Sequence, residues 1–247
     1  MWGLEPDLAT PLGEQLFQLA RAHRILARNG HANMSLGHLS MRDPEGRGFW
    51  LKARGLGLEE VGGPGEFLLL DYDGNPLLEG ADRRHGEWPI HAEIFRARPD
   101  VHVVAHTHPL YAASFSATQG ELEAATAEGN FLQSRVAYYR KMPGLIVTPE
   151  LGRELAETLD AKCVVLMKNH GVTTAAPNLA GAALSSIFIE RACRVQLLLA
   201  ASGLPWSAPP EGDLGRGGPA RLDLSPALVD DFWEYFNRQL DREEPRG

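Results

Sequence analysis

Two histidines stand one residue apart where an apolar stretch of the sequence ends. In DVHVVAHTHPLYAASFSAT, residues 100–118, a predicted strand at Val101–Ala105 is followed by His106 and His108 and then breaks at Pro109. Strand side chains alternate between two faces, so residues i and i+2 point the same way. We therefore expect the two imidazoles to lie side by side, where together they could hold one metal ion. Two solvated histidines at a strand edge are the alternative, and a third ligand would decide between these interpretations.

A third histidine occurs in the same kind of place. In CVVLMKNHG, an apolar strand again ends in a histidine, His170, and a tight turn at Gly171 follows. Three histidines at strand ends predict an open metal site with positions left for a substrate. Glu87, which lies just before a helix in HGEWPIHAEIF, is a candidate catalytic acid or base. The alternative for Glu87 is a solvated charge that the helix dipole favours.

The composition of the chain is that of an ordinary globular protein. Its 247 residues, 44% hydrophobic and 23% charged, predict a single domain spanning residues 1–247. The net charge of −8 argues against a nucleic-acid partner or an anionic membrane. No apolar run reaches the roughly 20 residues of a membrane span, and the N-terminus lacks a signal-peptide pattern, so we expect a cytoplasmic protein. Cys163 and Cys193 are expected to be reduced, buried and structural.

The elements that must position these residues alternate between helix and strand. Thr10 is a predicted N-cap and Gly30 a predicted end for the first helix. Further predicted helices lie at 89–100, 109–118, 148–160, 178–201 and 225–244, and strands at 36–42, 48–53, 65–71, 101–105 and on both sides of 169–171. This alternation favours an α/β sandwich around a mixed or antiparallel sheet, with its core at about residues 10–201 and a Pro/Gly-rich loop at 202–224.

The acid and the three histidines together resemble the class II aldolase/adducin family. That family has an acid before a helix, then VVHxH, then HG before a long helix, and this chain has GEWPIH, VVAHTH and KNHGV at matching separations. The resemblance runs from the first helix to about residue 200. It implies an α/β/α sandwich around a central, largely antiparallel sheet. It also assigns metal binding to His106, His108 and His170, and acid–base chemistry to Glu87.

The sequence departs from the sugar-phosphate aldolases where those enzymes bind phosphate. They have a Gly-Asn pair, a Thr-Gly pair and a Ser-Ser pair, and the matching pairs here are Gly37-His38, Arg54-Gly55 and His85-Gly86. A phosphate cradle needs many short donors that converge on one group. An arginine fork suits a planar carboxylate as well as a phosphate. We therefore expect these six residues to bind a small carboxylate or a bulkier non-sugar substrate, with a surface charge as the alternative role for Arg54.

The resemblance also implies a divalent cofactor and a reaction. Zinc suits a three-histidine site, and manganese, iron and cobalt also accept imidazole ligands. The expected function is metal-dependent aldol cleavage or condensation of a small hydroxy- or keto-carbonyl compound, with the metal as electron sink and Glu87 moving a proton. A metal-dependent decarboxylase, an iron-dependent oxygenase and a non-catalytic adducin-like interaction module remain alternatives. The three intact histidines count against the last of these.

Other polar and aromatic residues have weaker expectations. His91, one turn into its helix, is expected to pack or to support the site, and His102 to be solvated, whereas His23 and His31 have no partner that the sequence identifies. Because the family borrows tyrosines across subunit interfaces, the candidates for this role are Tyr111, Tyr138 and Tyr139, although aromatic packing is the favoured interpretation of each.

The C-terminal helix carries more aromatic residues than a solvated surface needs. They are Phe232, Trp233, Tyr235 and Phe236. Together with the resemblance, these residues predict a homotetramer whose active sites lie near subunit interfaces.

Overall fold

The structure is a computed structural model that describes residues 8–78, 81–141, 144–208 and 225–244. The strands within these ranges are β1 His38–Arg42, β2 Phe49–Lys52, β3 Phe67–Leu70, β4 Val103–Thr107, β5 Val136–Tyr139, β6 Val164–Met167 and β7 Gly171–Ala176. They form one seven-stranded sheet in the order β3-β2-β1-β4-β7-β6-β5. Neighbouring strands are antiparallel except β5 and β6, which are parallel. The predicted, largely antiparallel sheet is confirmed.

Helices cover both faces of this sheet. They are α1 Pro11–Leu26, α2 Trp88–Ala97, α3 Leu110–Ser116, α4 Ala127–Leu132, α5 Pro149–Leu159, α6 Leu179–Ser202 and α7 Pro226–Glu243. One hydrophobic core joins one face of the sheet to α2 and α5, and a second core joins the other face to the remaining helices. The two cores divide β4 between them, because Val103 and Ala105 enter one core and Val104 enters the other. The predicted α/β/α sandwich is therefore confirmed.

Local sequence signals place the helix starts. The side chains of Thr10, Thr148, Asn178 and Ser225 each accept a hydrogen bond from a backbone N–H in the first turn of the helix that follows. The first helix ends before its predicted glycine, since α1 stops at Leu26 and a π-helical segment continues over Ala27–His31.

Several boundaries and environments differ from the predictions. Strand β4 begins and ends two residues later than predicted and therefore contains His106, while β5 and α4 were not predicted. Cys193 is buried, but Cys163 is only half-buried because it lies just before β6. Residues 209–224 of the predicted loop lie outside the described residues. None of the helices in the described ranges has the length and apolar character needed to cross a membrane.

The centre of the sheet positions the polar residues of the site. In the β1–β4 pairing His38 lies opposite His106, and in the β4–β7 pairing Thr173 lies opposite His106. Three adjacent strands thus bring side chains from distant parts of the sequence to one place at the edge of the core. Helix α2, which packs on one face of the same sheet, begins directly after Glu87.

Candidate metal and substrate site

Four ligand-type side chains converge at one end of strands β4 and β7. Each of Glu87, His106, His108 and His170 contributes an oxygen or nitrogen atom, and all four atoms lie within 4.8 Å of one another. The structure therefore brings together the four residues that the strand-end pattern and the family resemblance single out.

His106 and His108 lie side by side, as the alternation of β4 predicts. Their Nε2 atoms are 2.9 Å apart, although His108 lies one residue beyond the end of the strand. Gly171 makes room for this arrangement, because a Cβ atom there would lie 2.6 Å from Cδ2 of His108 and 2.5 Å from the carbonyl oxygen of Thr107. The glycine is thus required for a close approach between the two strands, and it begins β7 instead of forming the predicted turn.

His170 lies in the turn between β6 and β7. Asn169, with φ of +54°, is the left-handed residue of this turn, which the sequence predicted at Gly171. The Nε2 atom of His170 is buried and has no hydrogen-bond partner among the described residues. Its nearest charged neighbour is Glu87, whose Oε1 lies 3.5 Å away. A ring nitrogen with a lone pair and a carboxylate oxygen are both acceptors, so a cation or a proton between them would make this contact favourable.

Glu87 occupies the N-cap position of α2 and is only 8% exposed, which excludes the solvated charge considered as the alternative. Oε1 accepts a hydrogen bond of 2.9 Å from the backbone N–H of Ile146, and Oε2 lies 3.8 Å from Nε2 of His106. Burial raises the pKa of Glu87 to about 7, and the hydrogen bond from Ile146 partly opposes this increase. The carboxyl group can therefore both accept and release a proton near neutral pH.

Supporting hydrogen bonds fix the tautomer of His106. Its Nδ1 atom lies 3.0 Å from Oγ1 of Thr173, and that hydroxyl donates its own hydrogen to Sδ of Met167. His106 must then donate from Nδ1, which leaves the lone pair of Nε2 facing the cluster. Burial is the main cause that lowers the pKa values of His106, His108 and His170, so all three rings are neutral at neutral pH.

This set of donors fits a divalent metal ion. Three neutral imidazoles and one carboxylate are common ligands for zinc and for other first-row metals. The unpartnered Nε2 of His170 is the observation that a cation at this position would explain, since unsatisfied buried polar atoms are rare in proteins.

The predicted substrate-binding residues divide into a buried group and an exposed group. Gly37 is buried and has a φ of +81°, and His38 follows it at the start of β1. The ring centroid of His38 lies 5.3 Å from that of His106 and 4.4 Å from that of His85. His85 is also buried, so the structure brings three of the predicted residues next to the cluster.

Arg54, Gly55 and Gly86 are exposed. The guanidinium of Arg54 donates to the backbone carbonyl of Asp82. Its charge still acts on His85, where it contributes to a pKa that burial, as the main cause, lowers to about 3. A direct contact between Arg54 and a substrate therefore stays a prediction.

Lys52 is a residue of this region that the sequence analysis missed. It lies in β2 and is fully buried, and its Nζ donates to the backbone carbonyls of Ser35 and Leu56. Burial lowers its pKa to about 8, and its charge in turn lowers the pKa values of His38 and His85. The run FWLK offered no signal for this burial, because the carbonyls that hold the ammonium group come from two loops.

The remaining histidines differ in how well the sequence predicted their surroundings. His91 supports the site, as expected, and bonds both His38 and Ser40. His23 and His31 are fully buried and do have partners: His23 contacts the carbonyl of Leu19 and the N–H of Leu39, and His31 contacts the hydroxyl of Thr107. His102 is exposed, as predicted.

The candidate tyrosines contact groups of their own chain. The hydroxyl of Tyr138 accepts from the N–H of Leu122, and that of Tyr139 donates to Glu154. Tyr111 packs against the guanidinium of Arg194. A contribution from any of the three tyrosines to a neighbouring subunit stays a prediction.

Proteins of known sequence are similar to most of this chain. The family described as Class II Aldolase and Adducin N-terminal domain matches residues 17–197. Decarboxylase NovR from Streptomyces niveus is 32% identical over 198 residues, which cover 79% of this chain and 73% of that protein. The 3,4-dihydroxyphthalate decarboxylase of Arthrobacter keyseri is 29% identical over 212 residues, which cover 80% of this chain and 84% of that protein.

Solved structures share the fold over nearly the whole chain. An aldolase II superfamily protein from Pseudomonas syringae has a TM-score of 0.82 at 25% identity, with 96% of both chains covered. L-fuculose 1-phosphate aldolase from Glaciozyma antarctica PI12 has a TM-score of 0.74 at 25% identity, covering 98% of this chain and 96% of that one. On this evidence of sequence and fold, the chain belongs to the class II aldolase and adducin family.

Proposed function

We propose that this protein is a divalent-metal-dependent carbon–carbon lyase that acts on a small hydroxy- or keto-carboxylate by aldol-type cleavage or condensation. The observation that carries the proposal is the convergence of a protonatable buried carboxyl, Glu87, with three neutral imidazoles. In this proposal His106, His108 and His170 hold the metal, for which zinc is the first candidate and manganese, iron or cobalt the others.

The metal ion and the residues of the chain have different roles in the proposed reaction. A bound divalent ion would act as a Lewis acid toward a carbonyl oxygen of the substrate. Glu87 takes the proton of the substrate hydroxyl as the carbon–carbon bond breaks and the aldehyde fragment leaves. The electron pair of the broken bond stays on the other fragment, and Glu87 returns the same proton to that carbon. In the absence of a bound cation, burial raises its pKa to about 7, so this carboxyl can accept and release a proton near neutral pH.

The proposed pocket is lined by Gly37, His38, Arg54, Gly55, His85 and Gly86. The charges of Lys52 and Arg54 reach this pocket, and they favour an anionic substrate. The short hydroxyl donors that suit a phosphate are absent from the three sequence pairs. These features support a carboxylate-bearing substrate in preference to a sugar phosphate.

Decarboxylation is the second candidate reaction, and the two decarboxylase relatives favour it. It also breaks a carbon–carbon bond and leaves an electron pair on carbon, so the same metal ligands serve it. Glu87 would then only deliver a proton to that carbon after carbon dioxide leaves.

Product analysis with metal-loaded protein tests the proposal. We expect release of pyruvate and an aldehyde from a 4-hydroxy-2-oxo carboxylate, or release of carbon dioxide from a hydroxybenzoate, and no cleavage of fuculose or ribulose phosphates. The identity of the product distinguishes the two reactions. Faster cleavage of the sugar phosphates would contradict the carboxylate proposal, and inertness toward every acid would contradict a lyase.

A homotetramer and a cytoplasmic location belong to the same proposal. The aromatic residues of α7 support a tetramer less than the sequence suggested, because Phe236 lies in the core of its own chain and Phe232 and Trp233 pack against that core. Tyr235, with 48% of its surface exposed, is the aromatic residue that remains available to a partner subunit. Light scattering at micromolar concentration would refute the tetramer if it reports a monomer, and cell fractionation would test the location.

A further inference from the structure

A buried chain of hydrogen bonds leads to His38, a predicted substrate-binding residue, without including a proposed metal ligand. Oγ of Ser40 lies 2.6 Å from Nδ1 of His91, and Nε2 of His91 lies 2.7 Å from Nδ1 of His38. Ser40 and His91 have no exposed surface, and the ring of Phe49 stacks on that of His91. The inner end of the chain is therefore closed to solvent.

The positions of the hydrogens on Ser40, His91 and His38 depend on one another. A neutral imidazole has one N–H and one lone pair, so two rings joined by one hydrogen bond must adopt the same tautomer. If the hydroxyl of Ser40 donates to His91, then His91 donates to His38, and His38 presents an N–H at Nε2. If Ser40 accepts instead, Nε2 of His38 presents a lone pair.

His85 provides the second nitrogen of this region. Its ring lies 4.4 Å from that of His38, and the backbone carbonyl of Ala53 acts to raise its pKa against the larger effect of burial. Its buried Nε2 has no partner among the described residues, so Nδ1 is the nitrogen that can face this carbonyl. With its hydrogen at Nδ1, the neutral ring holds a lone pair at Nε2. Any substrate atom that bonds to this nitrogen must bring a hydrogen.

We infer that His38 and His85 form a hydroxyl-recognising pair, in which Nε2–H of His38 donates to a substrate hydroxyl and Nε2 of His85 accepts the hydrogen of that hydroxyl. Ser40 and His91 are positioning residues that hold His38 as the donor. The inference rests on the proposed function, since it narrows the substrate to a carboxylate that carries a hydroxyl beside the metal-binding group. An acceptor-only group, such as a methyl ether, phosphate or carboxylate oxygen, would meet the lone pair of His85.

Two probes that differ in one substituent test the pair of His38 and His85 directly. Zinc-loaded protein is titrated calorimetrically with 3,4,5-trihydroxybenzoate and with its 3-methyl ether, which keeps two hydroxyls for the metal and replaces the third with an acceptor. We expect the trihydroxy acid to bind at least about tenfold more tightly, the effect of one hydrogen bond and one unpaired buried acceptor. Equal binding of the two probes, or no binding of either, would overturn the inference.

Variants separate the positioning residues from general packing. Ser40→Ala leaves His91 without its inner partner, so the preference for the free hydroxyl should fall several-fold, and Ser40→Thr should restore it. Ser116→Ala is the matched control, because Ser116 is also buried and its hydroxyl bonds only within α3. An unchanged preference for the free hydroxyl in Ser40→Ala would show that Ser40 does not position His38.

Nitrogen NMR of the histidine rings in the wild-type zinc protein needs no variant. With the trihydroxy acid bound, His38 and His91 should both carry hydrogen at Nε2, and His85 should carry it at Nδ1. Opposite tautomers in His38 and His91, or hydrogen at Nε2 of His85, would contradict the inference. If probes bind and tautomers match but no acid is turned over, the proposed lyase function fails while this recognition pair stands.

Discussion

The histidine cluster, comprising His38, His85, His91, His106, His108 and His170, and the junction between α1 and α7 hold polar side chains in two different ways. In the cluster, burial lowers the pKa of every ring, and neutral hydrogen bonds orient His38, His91 and His106. At the junction, three arginines of the α1 region pair with acids near the end of α7.

Neutral hydrogen bonds and ion pairs suit different parts of the molecule. A site that must bind a cation gains from neutral ligands, because protonated rings would repel the metal. The acids of the junction, Asp241 and Glu244, are 47% and 37% exposed, and ion pairs that reach solvent in this way contribute little each. Acid should therefore disturb the cluster, and salt should disturb the junction.

Removal of the acid function from Glu87 should give the largest effect. Glu87→Gln keeps the size of the side chain and an oxygen near the histidines but cannot exchange a proton, so turnover should fall about 10²–10⁴-fold while most metal is retained. The matched control is Glu93→Gln, since Glu93 is a buried acid of α2 that pairs with Arg96 instead of facing the cluster. Steady-state kinetics measure the turnover of both variants, and metal analysis measures their metal content. Full turnover in Glu87→Gln would exclude the proton-transfer role.

The hydroxyl that orients His106 should contribute to metal affinity. Thr173→Val preserves shape but removes the acceptor at Nδ1 of His106, so metal affinity should fall about 10–100-fold. Thr174→Val is the control, because Thr174 is the buried neighbour that bonds Ser186 and Ala182. Competition with a chelator measures both affinities, and equal values for the two variants would show that the Thr173 contact does not tune the ligand.

Acid should destabilise the fold through buried neutral histidines. Burial lowers the pKa of His23 from 6.5 to about 3, so below pH 6.5 the unfolded chain binds a proton that the folded chain does not. The stabilisation is complete above pH 6.5 and is lost as the pH falls toward 3, and at pH 5 the loss amounts to about 2 kcal/mol. Urea unfolding of wild type and His23→Gln at pH 7 and 5 measures this loss.

The comparison between the two pH values isolates the titration. His23→Gln should lower stability at pH 7, because the ring bonds Leu19 and Leu39, yet its stability should change less between pH 7 and pH 5. An identical pH dependence in wild type and variant would assign the acid sensitivity to other groups.

Salt should give the smallest effect, and only at the junction. Arg24 and Arg28 lie 3.0 and 2.8 Å from Glu244, whose side chain is 37% exposed, and such pairs contribute about 0.2–1 kcal/mol each. Raising potassium chloride from about 0.1 M to 1 M should speed hydrogen exchange in α7 and leave β4 unchanged. Equal responses in α7 and β4 would remove the contrast between the two regions.

The sequence predicts the parts of the molecule that depend on local patterns. Helix starts at Thr10 and Thr148 follow from capping chemistry, and the alternation of β4 orients His106 and His108. Strand β5 was missed because its pairing with β6 is parallel and its partner lies well along the chain.

In the site, contacts between distant segments were beyond local reasoning. The N–H of Ile146 that holds Glu87 lies 59 residues along the chain, and the carbonyls that hold Lys52 lie in two loops. Arg54 looked like the fixed charge of the pocket because its spacing matched, yet Lys52, two residues earlier, is the buried cation. Spacing identifies candidates, whereas burial is decided by the packing of the whole fold.

The central claim is that three histidines hold one divalent metal ion, and metal content measures it most directly. Protein purified without chelator is analysed for metal per chain as wild type, His170→Ala and His102→Ala, the last being an exposed histidine outside the cluster. We predict about one ion per chain in wild type and His102→Ala, and loss of most of that metal in His170→Ala. Equal metal content in His170→Ala and wild type would contradict the three-histidine site.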